Sequence, residues 1–436
     1  MIDKSFGIYA VWKSTPDVGA RDVAELRIVS GEQVLTRLVE VATQAMRDHF
    51  RTSAVSLALW LADNWWRLRW EPFLGKRPSA DWRLRHELTS VGSGAAWPPI
   101  MIYGTGPRVV LAPAFGARPT TGPIRYLELE TVHVLPGNHF EEALDRFFEQ
   151  VLESCAQAQD GTVLASLVSE LAAERADADI AAWRRLEARL GFDPDCAPDG
   201  LIEGMTALGS SLGENGIEEA ALSAPGEASA KYLKKAVAAS HVSELTVALS
   251  VAESVSREIF ETPAPAWKWG EDAAWQVRNR LGVSADRFDT DAMAEMLEVS
   301  WEKLTAASAT ASRLPYAALL RERDQHAKLA LQTRTAVDRR FELARIIADA
   351  IWISGESLGV ISRAKTERQK FQRGFAQNLL CPFSEVRRYV DIEAPTDEQI
   401  DAAARHFHVH RNVVETLLVN KNVLPRETLL ERLEAA

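Results

Sequence analysis

Residues 339–352, Arg-Arg-Phe-Glu-Leu-Ala-Arg-Ile-Ile-Ala-Asp-Ala-Ile-Trp, constrain this chain more than any other stretch. Leu343, Ile346, Ile347, Ala350 and Ile351 recur at spacings of three and four, which predicts a helix with one apolar stripe turned to a core. On that helix Arg345 and Asp349 stand one turn apart. This is the spacing at which a zinc peptidase helix carries the two histidines of H-E-x-x-H. Here the pentad is Arg345-Ile346-Ile347-Ala348-Asp349, without an imidazole.

A second helix is legible downstream. Thr366-Glu367-Arg368-Gln369 reads as a capping box, and Phe371, Phe375, Ala376 and Leu379 share the side that would be buried. The Arg-Phe-x-Leu-Ala before the pentad and Phe375-Ala376-Gln377-Asn378-Leu379-Leu380-Cys381-Pro382 after it together resemble the ImmA/IrrE family of bacterial metallopeptidase-like regulators. From Gly270 to the end, weaker flanking similarity continues: residues 274–283 resemble the family's first helix and Leu-Gly turn, 292–299 its second helix, and 328–332 the strand before the motif helix.

The resemblance aligns the family's first histidine with Arg345, its general-base glutamate with Ile346, its second histidine with Asp349 and its third, carboxylate ligand with Phe371. Glu367, one turn upstream of Phe371, is the nearest carboxylate. A catalytic zinc needs three protein ligands and an open fourth position. Asp349 and Glu367 are too few, and a guanidinium repels a cation. We therefore expect no metal, no cofactor and no peptidase chemistry. In the metal's place we expect either an ion pair of Arg345 with Asp349, which Glu367 could join, or two side chains turned to water. The resemblance implies a mostly helical, zincin-like fold and an inactive regulatory or interaction protein of bacterial stress response, prophage control or antiphage defence. Its partner would be a protein, such as a helix-turn-helix regulator or a defence-system component.

The 436 residues are enough for two or three domains of an α+β protein. Residues 1–137 read as a Trp-rich mixed α/β domain that would serve as a sensing or effector module. Strands are expected at 6–12 and 65–70, a helix at 34–50, a hairpin turning at Gly104-Thr105-Gly106-Pro107, and an extended run at 124–135. At Asn138, which can cap, the period becomes helical, with Phe140, Leu144, Phe147, Phe148 and Val151 on one face. A helical section of 138–260 follows, in which Leu164, Leu167, Val168 and Leu171 continue the pattern. Trp183, Leu186 and Leu190 line a further helix that Gly191 ends, with Arg184, Arg185 and Arg189 on its solvated side. Residues 222–227 read as a loop, and 261–266 as the linker before a last domain of 267–436.

A second reading is a nucleic-acid-binding regulator. In a strand at 65–70, Trp65, Arg67 and Arg69 would share a face, and with Arg83 and Arg85 they would form a platform on which bases stack and phosphates are neutralised. The alternative for the same residues is a core of tryptophans with snorkelling arginines. Near the C-terminus, Thr396 with Gln399 caps one helix, and Val414, Leu417 and Leu418 line another. The pair has the outline of a helix-turn-helix, with Arg411, Asn412 and Lys421 as contacts to DNA, or it packs on the core. The family's turn between these helices reads Phe-Gly-Val-Ser; here Phe407-His408-Val409-His410 lacks the glycine and the hydroxyl. His406, His408 and His410 are read as structural or solvated residues instead of metal ligands. His86-Glu87 is followed by Ser90 where a second imidazole would be needed, and is not a zinc motif.

The net charge of -11 gives no global pull toward nucleic acid. Three widely spaced cysteines argue for reduced thiols, and no segment has the length of a membrane span or the pattern of a signal peptide. These features point to the cytoplasm and to no membrane partner.

Overall fold

The computed structural model describes residues 6–12, 23–73, 78–114, 122–127, 129, 132–155, 159–262, 264–283, 287–306, 309–322, 325–353 and 355–425. These residues form a mixed α+β protein that divides into two compact units, Met1–Ile202 with Pro225–Glu227, and Glu203–Ala224 with Ala228–Ala436. The boundaries expected near 137 and 261–266 do not coincide with this division. No helix among the described residues is long and apolar enough to cross a membrane.

The first unit opens with strands β1 (Gly7–Trp12), β2 (Val23–Ser30), β3 (Gln33–Val34), β4 (Leu38–Glu40), β5 (Met46–Arg47) and β6 (Phe50–Ser53). Helices α1 (Ala54–Asp63), α2 (Trp65–Trp70) and α3 (Ala80–His86) come next. Strands β7 (Ile100–Gly104), β8 (Arg108–Pro113), β9 (Ile124–Tyr126) and β10 (His133–Pro136) follow, then helices α4 (Gly137–Cys155), α5 (Gln159–Ala176) and α6 (Ala178–Leu190). Three small antiparallel sheets result: β1, β3 and β6 around β2; β10-β8-β7; and β5-β4-β9.

Two expectations fail here. Residues 34–50 hold short strands, not a helix, and residues 65–70 are helix α2, not a strand. In α2, Trp65, Trp66, Arg67, Leu68 and Arg69 are all buried, so the segment has no polar face from which a helical period could be read. The 104–107 turn does join a hairpin, with Gly104 paired to Val109 and Gly106 at a φ of 96° that suits glycine. The apolar face of α4 is buried as its spacing indicates, although the helix begins at Gly137, ahead of Asn138.

The second unit contains α7 (Leu201–Leu212) from Glu203 onward, α8 (Glu214–Ser223), α9 (Ser229–His241) and β11 (Thr246–Ala248). It continues through α10 (Ala266–Arg280), α11 (Thr290–Met296), α12 (Trp301–Ala306), β12 (Tyr316–Arg321) and β13 (His326–Ala330). Helix α13 (Ala336–Trp352), β14 (Leu358–Ser362), α14 (Glu367–Leu380), α15 (Phe383–Val386), α16 (Asp397–Phe407) and α17 (Arg411–Asn420) complete it. Its four strands form one antiparallel sheet in the order β11-β13-β12-β14. Thr246 of β11 pairs with Lys328 of β13, so residues before the expected linker belong to the same sheet as those after it.

Helix α13 carries the apolar stripe its sequence suggests, with Leu343, Ile346, Ile347 and Ile351 in the core. It packs on α14 and β14, and α14 in turn crosses α10 at backbone contact. A Cβ on Gly270 would lie 2.4 Å from the Phe371 carbonyl oxygen, and one on Gly374 would lie 2.4 Å from that of Trp267. Only glycines let these two helices approach so closely.

Candidate functional site

Helix α13 places Arg345 and Asp349 on one face, one turn apart, opposite β14 and α14. Its start is set by Thr335, whose hydroxyl accepts from the Asp338 N–H at 3.2 Å. Helix α14 starts in the same way at Thr366, which accepts from the Gln369 N–H at 3.2 Å. In the expected capping box Gln369 would return a bond to Thr366. Its amide turns to the site instead, where Nε2 donates to the Val360 carbonyl at 2.9 Å and to Glu219 at 2.8 Å, while Oε1 accepts from the Ser362 N–H at 2.9 Å.

Gln372, one turn further, joins the two residues of α13. Its Oε1 accepts from Arg345 Nη2 at 3.1 Å, and its Nε2 donates to Asp349 Oδ1 at 2.6 Å. The Arg345 Nη2 group also donates to the Ser362 carbonyl at 2.6 Å and to Gln369 Oε1. Asp349 is completely buried and held by both Nε and Nη2 of Arg368, at 2.7 and 2.8 Å. Arg368 then reaches the Asn215 carbonyl at 3.2 Å, and Thr366 Oγ1 donates to Glu219 at 2.7 Å. The result is one connected polar cluster inside the second unit, with its carboxylates met by donors.

Neither form expected for Arg345 and Asp349 is found. They are not a direct ion pair, and they do not both face water: the cation on Asp349 is Arg368, and Gln372 mediates between Asp349 and Arg345. Glu367 stays outside the cluster and accepts from Lys370 at 2.8 Å. Ile346 and Phe371 are fully buried hydrophobics, the latter in an aromatic group with Phe260 and Trp352 at centroid separations of 5.5 and 5.2 Å. The residue of α14 that meets both Arg345 and Asp349 is Gln372, next to Phe371 in sequence. The signal for it was the Gln369–Gln372 spacing, off the Phe371–Phe375 stripe. For Glu219, about 150 residues from Gln369, the sequence contained no signal.

Burial sets the electrostatics. It pushes the Arg345 guanidinium well below its usual range, and the acceptors of its Nη2 group are the neutral oxygens of Ser362, Gln369 and Gln372. Burial raises the Glu219 carboxyl, against the opposing pull of Arg368, Thr366 and Gln369. Chemically, amide and guanidinium donors oppose a cation. Among the described residues no three His, Cys, Asp or Glu side chains gather as a metal site.

The four arginines expected in the platform are engaged within the first unit. Arg67 is buried and bonds Glu71 at 2.6 Å, Asp81 at 2.9 Å and Asp193 at 3.2 Å. Arg69 bonds Glu141 at 2.6 Å and stacks over Trp70; Arg83 bonds Glu87 at 2.9 Å; Arg85 bonds Asp193 at 2.6 Å. Trp65 is buried edge-to-face against Trp66. The platform for bases and phosphates does not form, because α2 is a helix and carboxylates neutralise its arginines. His86 is internal as well: Nδ1 lies 2.6 Å from the Ile102 carbonyl, Nε2 lies 2.8 Å from Glu71, and the ring stacks on Trp82. The side of α6 expected in solvent is instead paired or buried, with Arg184 bonded to Glu174, Glu187 and Asp195 and Arg189 over Trp70.

The C-terminal helix pair packs on the core through Ile400, Phe407, Val414 and Leu418. Arg411 is surrounded by Asp397, Asp401 and Glu415, and Lys421 bonds Glu271 at 2.9 Å; Asn412 is exposed in the first turn of α17. The three histidines have separate partners: His406 meets Tyr389 Oη at 2.9 Å, His408 meets Arg287 at 3.4 Å, and His410 accepts from the Asn412 N–H at 3.4 Å. His408 takes the left-handed conformation at the end of α16, φ 51°, where the resemblance expects glycine, and His410 caps α17 where it expects a hydroxyl.

Comparison with family models, with curated proteins and with solved structures finds no match to this chain.

Proposed function

We propose that the second unit is a non-catalytic, metallopeptidase-like module, and that the protein acts by binding a protein partner. The observation that carries this reading is the pairing of Asp349 with Arg368 and of Arg345 with Gln369 and Gln372, at the two α13 positions that the ImmA/IrrE resemblance aligns with zinc-binding histidines. A cluster whose carboxylates are met by guanidinium, hydroxyl and amide donors favours a rigid scaffold over a reactive centre. The sequence resemblance supplies the setting: bacterial stress response, prophage control or antiphage defence, inside the cytoplasm, with a helix-turn-helix regulator or another defence component as partner.

The test is elemental analysis of the purified full chain, combined with co-purification against helix-turn-helix proteins encoded beside it. Substoichiometric zinc and recovery of an intact partner in a defined ratio support the reading. Stoichiometric zinc, or chelator-sensitive cleavage of that partner, overturns it.

A further inference from the structure

We infer that a cleft at the C-terminal end of α13 binds an aliphatic carboxylate. The cleft measures about 430 Å3, within the range of small-molecule sites. Leu249, Val255, Ala350 and Ile351 give it an apolar wall, and two arginines from separate elements, Arg257 and Arg321, line it. It lies wholly within the second unit and rests on no resemblance.

Neither arginine is in an ion pair among the described residues. Arg257 donates to the Ile351 carbonyl at 2.5 Å and to that of Trp352 at 3.4 Å. Arg321 makes one long contact, 3.4 Å, to the Asp349 carbonyl, and its buried Nε has no partner. These carbonyls form the end of α13, whose dipole amounts to roughly half a negative charge. Neither guanidinium has a carboxylate hydrogen-bonded to it among the described residues. Two carboxylates share the wall: Glu322 is paired with Lys328 at 3.3 Å, and Glu253 accepts from the neutral Gln325 amide.

A buried guanidinium nitrogen without an acceptor is costly, and a carboxylate is the group whose two oxygens match a guanidinium fork. The apolar wall selects an aliphatic tail behind it. Two sources share this chemistry, a free medium-chain acid and the terminal carboxylate of a peptide ending in an aliphatic residue.

The full chain is titrated calorimetrically with octanoate, with octylamine and octanol as controls. A tetrapeptide ending in leucine is then used as competitor, as the free acid and as the amide. Saturable one-site binding of octanoate alone is expected, weakened at least tenfold in Arg321→Met and in Arg257→Met, and abolished by Ala252→Phe, which fills the cleft without touching the charges. Competition by the peptide acid but not its amide identifies a polypeptide terminus as the natural source; no competition identifies a free acid. Absence of saturation at millimolar octanoate, equal binding of octanol or octylamine, or unchanged affinity in all three variants overturns the assignment.

Discussion

Arg368 clasps Asp349 through two parallel hydrogen bonds of 2.7 and 2.8 Å, with the carboxylate wholly out of solvent and the guanidinium 5 % exposed. A pair so buried contributes little net stability when intact, because desolvation offsets attraction, but losing one member strands the other charge. We expect Arg368→Met to lower the unfolding free energy by about 3–5 kcal/mol. Addition of Asp349→Leu should recover most of that loss. Urea unfolding of the two single variants and the double variant measures the coupling; a single-variant loss under about 1 kcal/mol would place the pair in effective contact with water.

Gln372 is the link between Arg345 and Asp349, and its replacement by leucine keeps the volume while removing its bonds to Arg345, Asp349 and the Val360 carbonyl. The buried groups left behind should cost about 1–3 kcal/mol. Thermal unfolding followed by circular dichroism checks this. If Gln372→Leu melts with the wild type, the bridge is dispensable and the two α13 residues are independent.

At the α10–α14 crossing, Gly374→Ala forces a methyl group to within 2.4 Å of the Trp267 carbonyl oxygen. The helices must separate, and overpacking of this kind costs roughly 1–3 kcal/mol. Denaturant unfolding should show the loss, and a neutral result would mean that the crossing yields without strain.

Two buried carboxyls should titrate with opposite signs. Burial pushes the Glu71 carboxyl up, but His86 and Arg67 outweigh it and hold the group below its ordinary value of 4.5. Its stabilising contribution is therefore complete above about pH 4.5 and disappears as pH falls through the lowered value. Glu219 is raised above 4.5, chiefly by burial, so as pH rises from there the unfolded state ionises first and stability declines until the folded carboxyl ionises too. Melting curves across acid pH should lose slope in Glu71→Gln on the first account, and in Glu219→Gln on the second. An unchanged profile in either variant contradicts the corresponding assignment.

Local pattern made much of the helical architecture legible. The three- and four-residue spacing of α4, α13 and α14, and the Thr396–Gln399 capping box of α16, are determined by residues within a turn or two of one another. The sequence by itself also determined that positions 345 and 349 share a face and contain no imidazole. Only the tertiary structure decided their partners: Arg368 and Gln372 on the next helix, and Glu219 behind Gln369. It also decided that Trp65–Trp70 is helical, because burial on every side erases the polar face that reveals a period. The strand pairing of Thr246 with Lys328 likewise carried β11 into the second unit. Charge partners, and strands joined across long stretches of chain, are chosen by where the chain returns in space, and periodicity along a segment has no access to that.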